Sequence, residues 1–179
     1  MLKIHVSGSE VYDELSEEFI VVKPVDLALE HSLISLSKWE SKWHKPFLKD
    51  EKKSDEEFLD YIRCMTLTQN VDPHVYLSLS QENLSEILSY INDPMTATTF
   101  SKTNSAPNHE TYTSELIYYY MIAAGVPIDC QKWHLNRLLT LLKICGIKAS
   151  KQKPMSKAAI MKQNSAINAA RRAKMGSKG

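Results

Sequence analysis

The most reactive side chains in this chain of 179 residues belong to three cysteines and six histidines. Cys130 and His134 stand four apart, a spacing that puts a thiol and an imidazole on one face of a helix. That is half of a tetrahedral zinc site, which needs four ligands, and neither Cys64 nor Cys145 stands at a spacing that supplies the rest. Cys130 and His134 therefore read as packing or surface residues. A thiol beside an imidazole is also the minimal nucleophile–base pair. Cys64 and Cys145, however, fall on or beside apolar positions, where free cysteine packs as a small hydrophobe. The run Asp55-Glu56-Glu57 directly follows Ser54 and leads into an apolar stripe. It reads as the acidic first turn of a capped helix rather than an acid–base pair. A Gly-rich phosphate loop, G-x-S-x-G, H-E-x-x-H and paired C-x-x-C are all missing from the sequence, so the motif-borne chemistries have no carrier. The chain is expected to hold no catalytic residue, no metal and no cofactor, and to act by binding.

Charge is the strongest functional signal. The net charge of +1 conceals a division. The first 129 residues hold 10 Lys or Arg and all 21 Asp or Glu, a net of −11. The last 50 hold the other 12 bases and no acid, a net of +12. An acidic body with a basic tail suits an acidic protein partner, a helical partner, nucleic acid or the body itself. Nucleic-acid binding is weakened by the lack of any aromatic residue after Trp133 on which bases could stack. Apolar residues make up 43% of the chain, close to the globular norm of roughly 45–50%, so a packed core is expected. No apolar run approaches the ~20 residues of a membrane helix. The N-terminus does not read as a secretory signal, and the odd number of cysteines points to reduced thiols.

The pattern along the chain predicts an α+β, mainly α fold. Residues 2–6, 18–22 and 25–29 alternate or are β-branched, with Ser7-Gly8-Ser9 as a turn and Pro24 as a break. They predict a small antiparallel unit of two or three strands. Ser32 is expected to cap a helix carrying Leu33, Leu36, Trp39 and Trp43, ended by Pro46. Ser54 caps a second, with Phe58, Tyr61, Ile62 and Met65 as its stripe. Asp72-Pro73 opens a short turn through Leu77. Ser80 caps a helix with Leu84, Ile87, Leu88 and Ile91, stopped at Pro94. Residues 95–110 read as a loop with a helical turn near Phe100. Thr113 starts a helix through Ala124 that is apolar all round and so is expected to sit centrally. Asp129 caps a helix through Cys145 that Gly146 ends, with Leu135, Leu138, Leu139 and Leu142 as its seam. Residues 148–157 read as a linker, and Ser156 caps a last helix over 157–175 with a thin apolar stripe. The resulting organisation is a β unit over 1–30, a body of about five to six helices over 31–146, and a mobile basic arm over 147–179.

Candidate partner contacts follow from residue type. Trp39 and Trp43 share a helical face, either as core or as an exposed anchor, since tryptophan is enriched at binding hot spots. Trp133 is a third anchor. Arg137, Arg171 and Arg172 supply charge. Tyr118, Tyr119 and Tyr120 point three ways around their helix, so at least one hydroxyl is expected at a polar edge or an interface.

Several stretches resemble small proteins from the tail gene modules of long-tailed bacteriophages. They are LEHSLISLSKWESKW at 29–43, MTAT at 95–98, WHLNRLLTL at 133–141 and NAARRAKMG at 168–176. The resemblance covers nearly the whole chain and is to tail assembly chaperones. It implies a non-catalytic protein of the host cytoplasm that binds the long helical tape measure protein, recruits tail tube subunits and leaves before the virion matures. A second, longer form made by ribosomal frameshifting is also implied. The alternatives are a permanent tail or baseplate component, or a nucleic-acid-binding protein acting through its arm. A homo-oligomer is compatible with each.

Overall fold

The structure, a computed structural model, describes residues 1–13, 17–100, 111–151 and 157–175. The fold is α+β and mainly α. It opens with β1 (Leu2–Val6), β2 (Ser9–Asp13), β3 (Glu18–Val22) and β4 (Val25–Leu29). β1 pairs antiparallel with β4, and β2 with β3. Leu2 faces Leu29, Val6 faces Val25, Ser9 faces Val22 and Asp13 faces Glu18, so one register runs through both ladders. The four strands are the two arms of a single hairpin, interrupted where Ser7-Gly8 come opposite Lys23-Pro24. Pro24 has no N–H to give the ladder. At Gly8 a Cβ would lie 2.9 Å from the Val22 carbonyl oxygen and 3.0 Å from Pro24 Cδ, so a side chain there would force the kink open. β2 exceeds the two or three strands expected. With Glu10 and Asp13 it has little strand propensity, and it forms because the register set by β1 continues past the kink.

The inner ladder has one buried face. Ile4, Val6, Leu27 and Leu29 are buried, while the alternate residues Lys3, His5 and Asp26 are exposed. Onto that face pack α1 (Leu33–Trp43), α2 (Asp55–Met65) and α3 (Gln81–Asn92), with a 3-10 turn at Pro73–Ser78. Their starts are the ones the sequence predicts. Ser32, Ser54 and Ser80 each accept a hydrogen bond from the third backbone N–H of their helix, whose own side chain accepts from the cap's N–H in return. Asp72 caps the Pro73 turn. α1 stops at Trp43, earlier than Pro46 requires, because His44 takes a left-handed conformation with φ 53°. The outer edge of β4 is covered: Leu67 N–H donates to the Ala28 carbonyl at 2.8 Å and Glu30 N–H to that of Met65 at 2.9 Å.

α4 (Ser114–Ala123) is capped by Thr113 and ends before Gly125, whose φ of 65° is the left-handed turn that favours glycine. A 3-10 turn at Ile128–Lys132 leads to α5 (Leu135–Lys151). This corrects the expected single helix from Asp129: the chain turns at Trp133 so that the Leu135 N–H can donate to the His31 carbonyl at 2.7 Å. It also corrects the expected stop at Gly146. A glycine inside a helix costs about 1 kcal/mol, and the helix-forming Lys148 and Ala149 carry the helix on. Contacts divide the chain into Met1–Lys143 and Ile144–Gly179, a boundary inside α5. The second unit contains α6 (Lys157–Met175), which the sequence predicts. Residues 93–100 form no helix, so the described side of the helical turn expected near Phe100 is loop; residues 101–110, the linker residues 152–156 with the Ser156 cap, and residues 176–179 lie outside the described residues. No helix among those described is long and apolar enough to cross a membrane.

Candidate partner surface

Trp39 is only 1% exposed. Its indole N–H donates to the Glu57 carbonyl at 2.8 Å, and its ring meets Phe47 edge-on with centroids 5.0 Å apart. It is a core post between α1 and α2 and cannot reach a partner, which removes it from the predicted contacts. Trp43 stacks on it at 6.0 Å and donates to Asp60 Oδ2 at 2.8 Å, half-buried. Lys42 holds the other Asp60 oxygen at 2.6 Å, and Lys45 holds Glu57 at 2.5 Å. The Lys45 ammonium and the Ser54 N–H keep the Glu57 carboxyl below its ordinary pKa. Behind this corner Glu40 is buried, accepting from the Phe47 N–H at 2.9 Å and the Ser114 N–H at 2.7 Å. It ties the end of α1 to the start of α4.

His134, the residue of the candidate metal pair, belongs to a buried polar cluster. Its Nε2 donates to the Tyr90 carbonyl at 2.9 Å and its Nδ1 accepts from the Asn136 N–H at 3.3 Å. Both nitrogens are therefore engaged, with none left for a metal. Cys130 is buried, and among the described residues no group of three or more His, Cys, Asp or Glu could hold an ion. The ring of His31 lies 5.1 Å from that of His134, and its Nδ1 is 2.6 Å from the Tyr61 hydroxyl. Burial, aided by His134, pushes the His31 pKa down to about 3. Burial also lowers that of His134. Two neutral imidazoles thus pin the start of α5 to the β4–α1 junction.

The exposed aromatic surface lies elsewhere. α4 buries Ser114, Ile117 and Met121 but leaves Tyr119 63% and Ile122 75% exposed. It is apolar all round, yet it lies at the surface rather than centrally, because only one of its faces meets α1. Tyr118 donates its hydroxyl to Gln131 Oε1 at 2.9 Å, the polar edge expected for one of the three tyrosines. Beyond the Gly125 turn, Ile128 is 55% exposed. The exposed Trp133 carries the Arg137 guanidinium over its ring at 4.4 Å. Of the six predicted contact residues, Trp39 and Trp43 thus meet in and beside the core, and Trp133 and Arg137 meet at the exposed surface. Arg171 and Arg172 are exposed on α6. This chain matches no protein-family model, no curated protein and no solved structure. The surface itself must carry the functional reading.

Sequence reasoning misses Ile122 and Ile128 as contact candidates, and offers Tyr119 only as one of three tyrosines for a polar edge or an interface. The available signal is a helix with no polar face: where such a helix has only one neighbour, its other side must be apolar and wet. Glu40 is missed as well, because its two donors lie 7 and 74 residues away in sequence.

Proposed function

We propose that this chain is a non-catalytic tail assembly chaperone that acts in the host cytoplasm. On this reading it binds the tape measure protein through the outward face of α4 and the Trp133–Arg137 pair, and brings tail tube subunits to it. The observation that carries the binding mode is the apolar exposure of Tyr119 and Ile122 on a helix whose opposite face is fully packed. A long helical client presents apolar stripes of its own, and two such surfaces associate by removing apolar area from water at about 25 cal/mol per Å². Arg137, already stacked on Trp133, adds a cation that can also pair with a client carboxylate. Holding the client by mass action needs no nucleotide. The resemblance across residues 29–43, 95–98, 133–141 and 168–176 supplies the identity of the client.

The test is co-expression with the tape measure protein of the same tail module, followed by co-purification and mass spectrometry of mature particles. The wild type is expected to co-purify and to be missing from particles. Ile122→Glu, a change at an exposed position, is expected to abolish co-purification while leaving the fold intact by circular dichroism. Stoichiometric copies in mature particles would overturn the chaperone reading in favour of a permanent tail or baseplate component. Co-purification undiminished by Ile122→Glu would place the client elsewhere.

A further inference from the structure

The outer half of the hairpin carries a second uncovered apolar face, independent of α4. In an antiparallel ladder, residues opposite one another share a face and faces alternate along each strand. Val11, Ile20 and Val22 therefore lie on one side of β2–β3, and they are half-buried or buried. Glu10, Tyr12, Phe19 and Val21 lie on the other. There Tyr12 is 49%, Phe19 72% and Val21 69% exposed. Tyr12 and Phe19 are register partners with rings 5.2 Å apart. Glu17 and Glu18 are exposed at the tip, and residues 9–22 contain no Lys or Arg. A two-stranded ladder with an aromatic face open to water is marginal by itself, so covering that face is favourable.

The chain also carries a helix of opposite character. At 100° per residue, Met161, Ile167, Arg171 and Arg172 fall within an arc of about 140° on α6. All four are exposed, and Met161 is 74% so. Residues 130–179 contain no acid. At about 1.5 Å per residue α6 is long enough to cross a five-residue ladder at about 3.3 Å per residue.

We propose that this arc of α6 from a second copy of the chain docks on the outward face of β2–β3. Met161 and Ile167 cover Phe19 and Val21, and the two guanidinium groups meet Glu10 on the same face and Glu17 at the tip, or stack on the aromatic rings. Charge complementarity selects the occupant: the outer half of the hairpin, residues 9–22, has acids and no Lys or Arg, and the arm has bases and no acid. If two copies exchange arms, each contact occurs twice and the second forms at high effective concentration. The proposal goes beyond the client-binding role and does not depend on it.

Sedimentation velocity of the full chain over a concentration and salt series tests it. The wild type is expected to pass from monomer to dimer as concentration rises. The dimer should weaken as salt shortens the Debye length from about 10 Å at 0.1 M to about 3 Å at 1 M. Arg171→Glu with Arg172→Glu, and separately Glu10→Lys with Glu17→Lys, are each expected to weaken association at least ten-fold. Mixing those two variants is expected to restore it, because the first keeps a native hairpin and the second a native arm. Arg171 and Arg172 are exposed on α6, so the arm pair stays informative even if the hairpin variant folds poorly. A wild type that stays monomeric throughout would overturn the proposal. So would a salt-sensitive change of shape at constant mass, which would put the arm on its own body. Dimerisation indifferent to both variants would overturn it too, since another face would then be the interface.

Discussion

Two tryptophans in the same body, Trp39 and Trp133, meet opposite fates. Trp39 sits where α1, α2 and Phe47 converge, and its N–H finds a backbone carbonyl in the next helix. Trp133 sits at the turn into α5, with Arg137 on its ring and water beyond. The residue type is the same, and the difference lies in what the neighbouring elements offer. The α1–α2 corner supplies acceptors for each indole and carboxylates for Lys42 and Lys45. Among the described residues no buried side-chain polar atom lacks a partner. The α4–α5 side supplies apolar surface and the Arg137 cation. The first region holds the fold together, and the second is free to hold something else.

Truncation separates the two most sharply. Trp39→Ala should cost about 3–5 kcal/mol, since it removes a fully buried ring, leaves a cavity and strips the Glu57 carbonyl of its donor. Trp133→Ala should cost less than about 1 kcal/mol, since the ring is exposed and loses chiefly the contact with Arg137. Urea denaturation of the two variants under one set of conditions measures both. Equal losses would mean that Trp133 is structural, and the partner surface would then shrink to α4.

Acid should act next most strongly, through the tether of α5. The imidazole of His31 titrates near 6.5 when free and at about 3 when folded. Between those values the unfolded chain binds the extra proton. The stabilisation is therefore complete above pH 6.5 and is lost as the pH falls, at up to about 1.4 kcal/mol per pH unit. Around the pair stand Tyr61, Tyr90, Glu30 and Asp93; the two carboxylates favour a proton on His134, but burial outweighs them, and at His31 burial and the second imidazole both oppose it. Stability measured from pH 8 to 4 should fall below pH 6.5, and His31→Gln should flatten that slope. An unchanged slope in the variant would assign the acid sensitivity elsewhere, such as to the Lys45–Glu57 pair.

Within the corner, Glu40→Gln should cost about 1.5–3 kcal/mol by replacing a charged acceptor of two N–H groups with a neutral one. The loss should be larger than for Glu51→Gln, whose ion pair with Lys49 is exposed. Thermal unfolding of both variants gives the comparison. Similar shifts would show that the bridge from α1 to α4 is dispensable.

These residues also show what the sequence discloses and what it withholds. Ser32, Ser54, Ser80 and Thr113 announce their helices because a cap acts over three residues, a distance that the sequence displays directly. The kink at Pro24 is legible for the same reason. The strand β2 is not, because its pairing is inherited from β1 across Gly8. The helix α4 has a legible length but an illegible address: its uniform apolar surface does not say which side the body will cover. The partnership of His31 with His134 spans more than 100 residues, and spacing pairs His134 with Cys130 instead. Of the predicted contact residues, Trp133 and Arg137 meet because they stand four apart on the turn into α5, the same local rule that makes caps readable.

That pair gives the smallest effect and the finest test of the comparison. If Arg137 merely shades Trp133, then in a double-mutant cycle Trp133→Ala and Arg137→Ala should couple by about 0.5–1 kcal/mol in stability. Because the guanidinium stacks on an uncharged ring at contact distance, that coupling should persist at high salt, where an exposed ion pair would fade. The same cycle read on client binding should give a larger coupling than the one in stability, because burying the stacked pair against a partner removes water from both faces of the contact. If the coupling in binding is no larger than that in stability, the pair is a local brace on α5, and Tyr119 and Ile122 alone carry recognition.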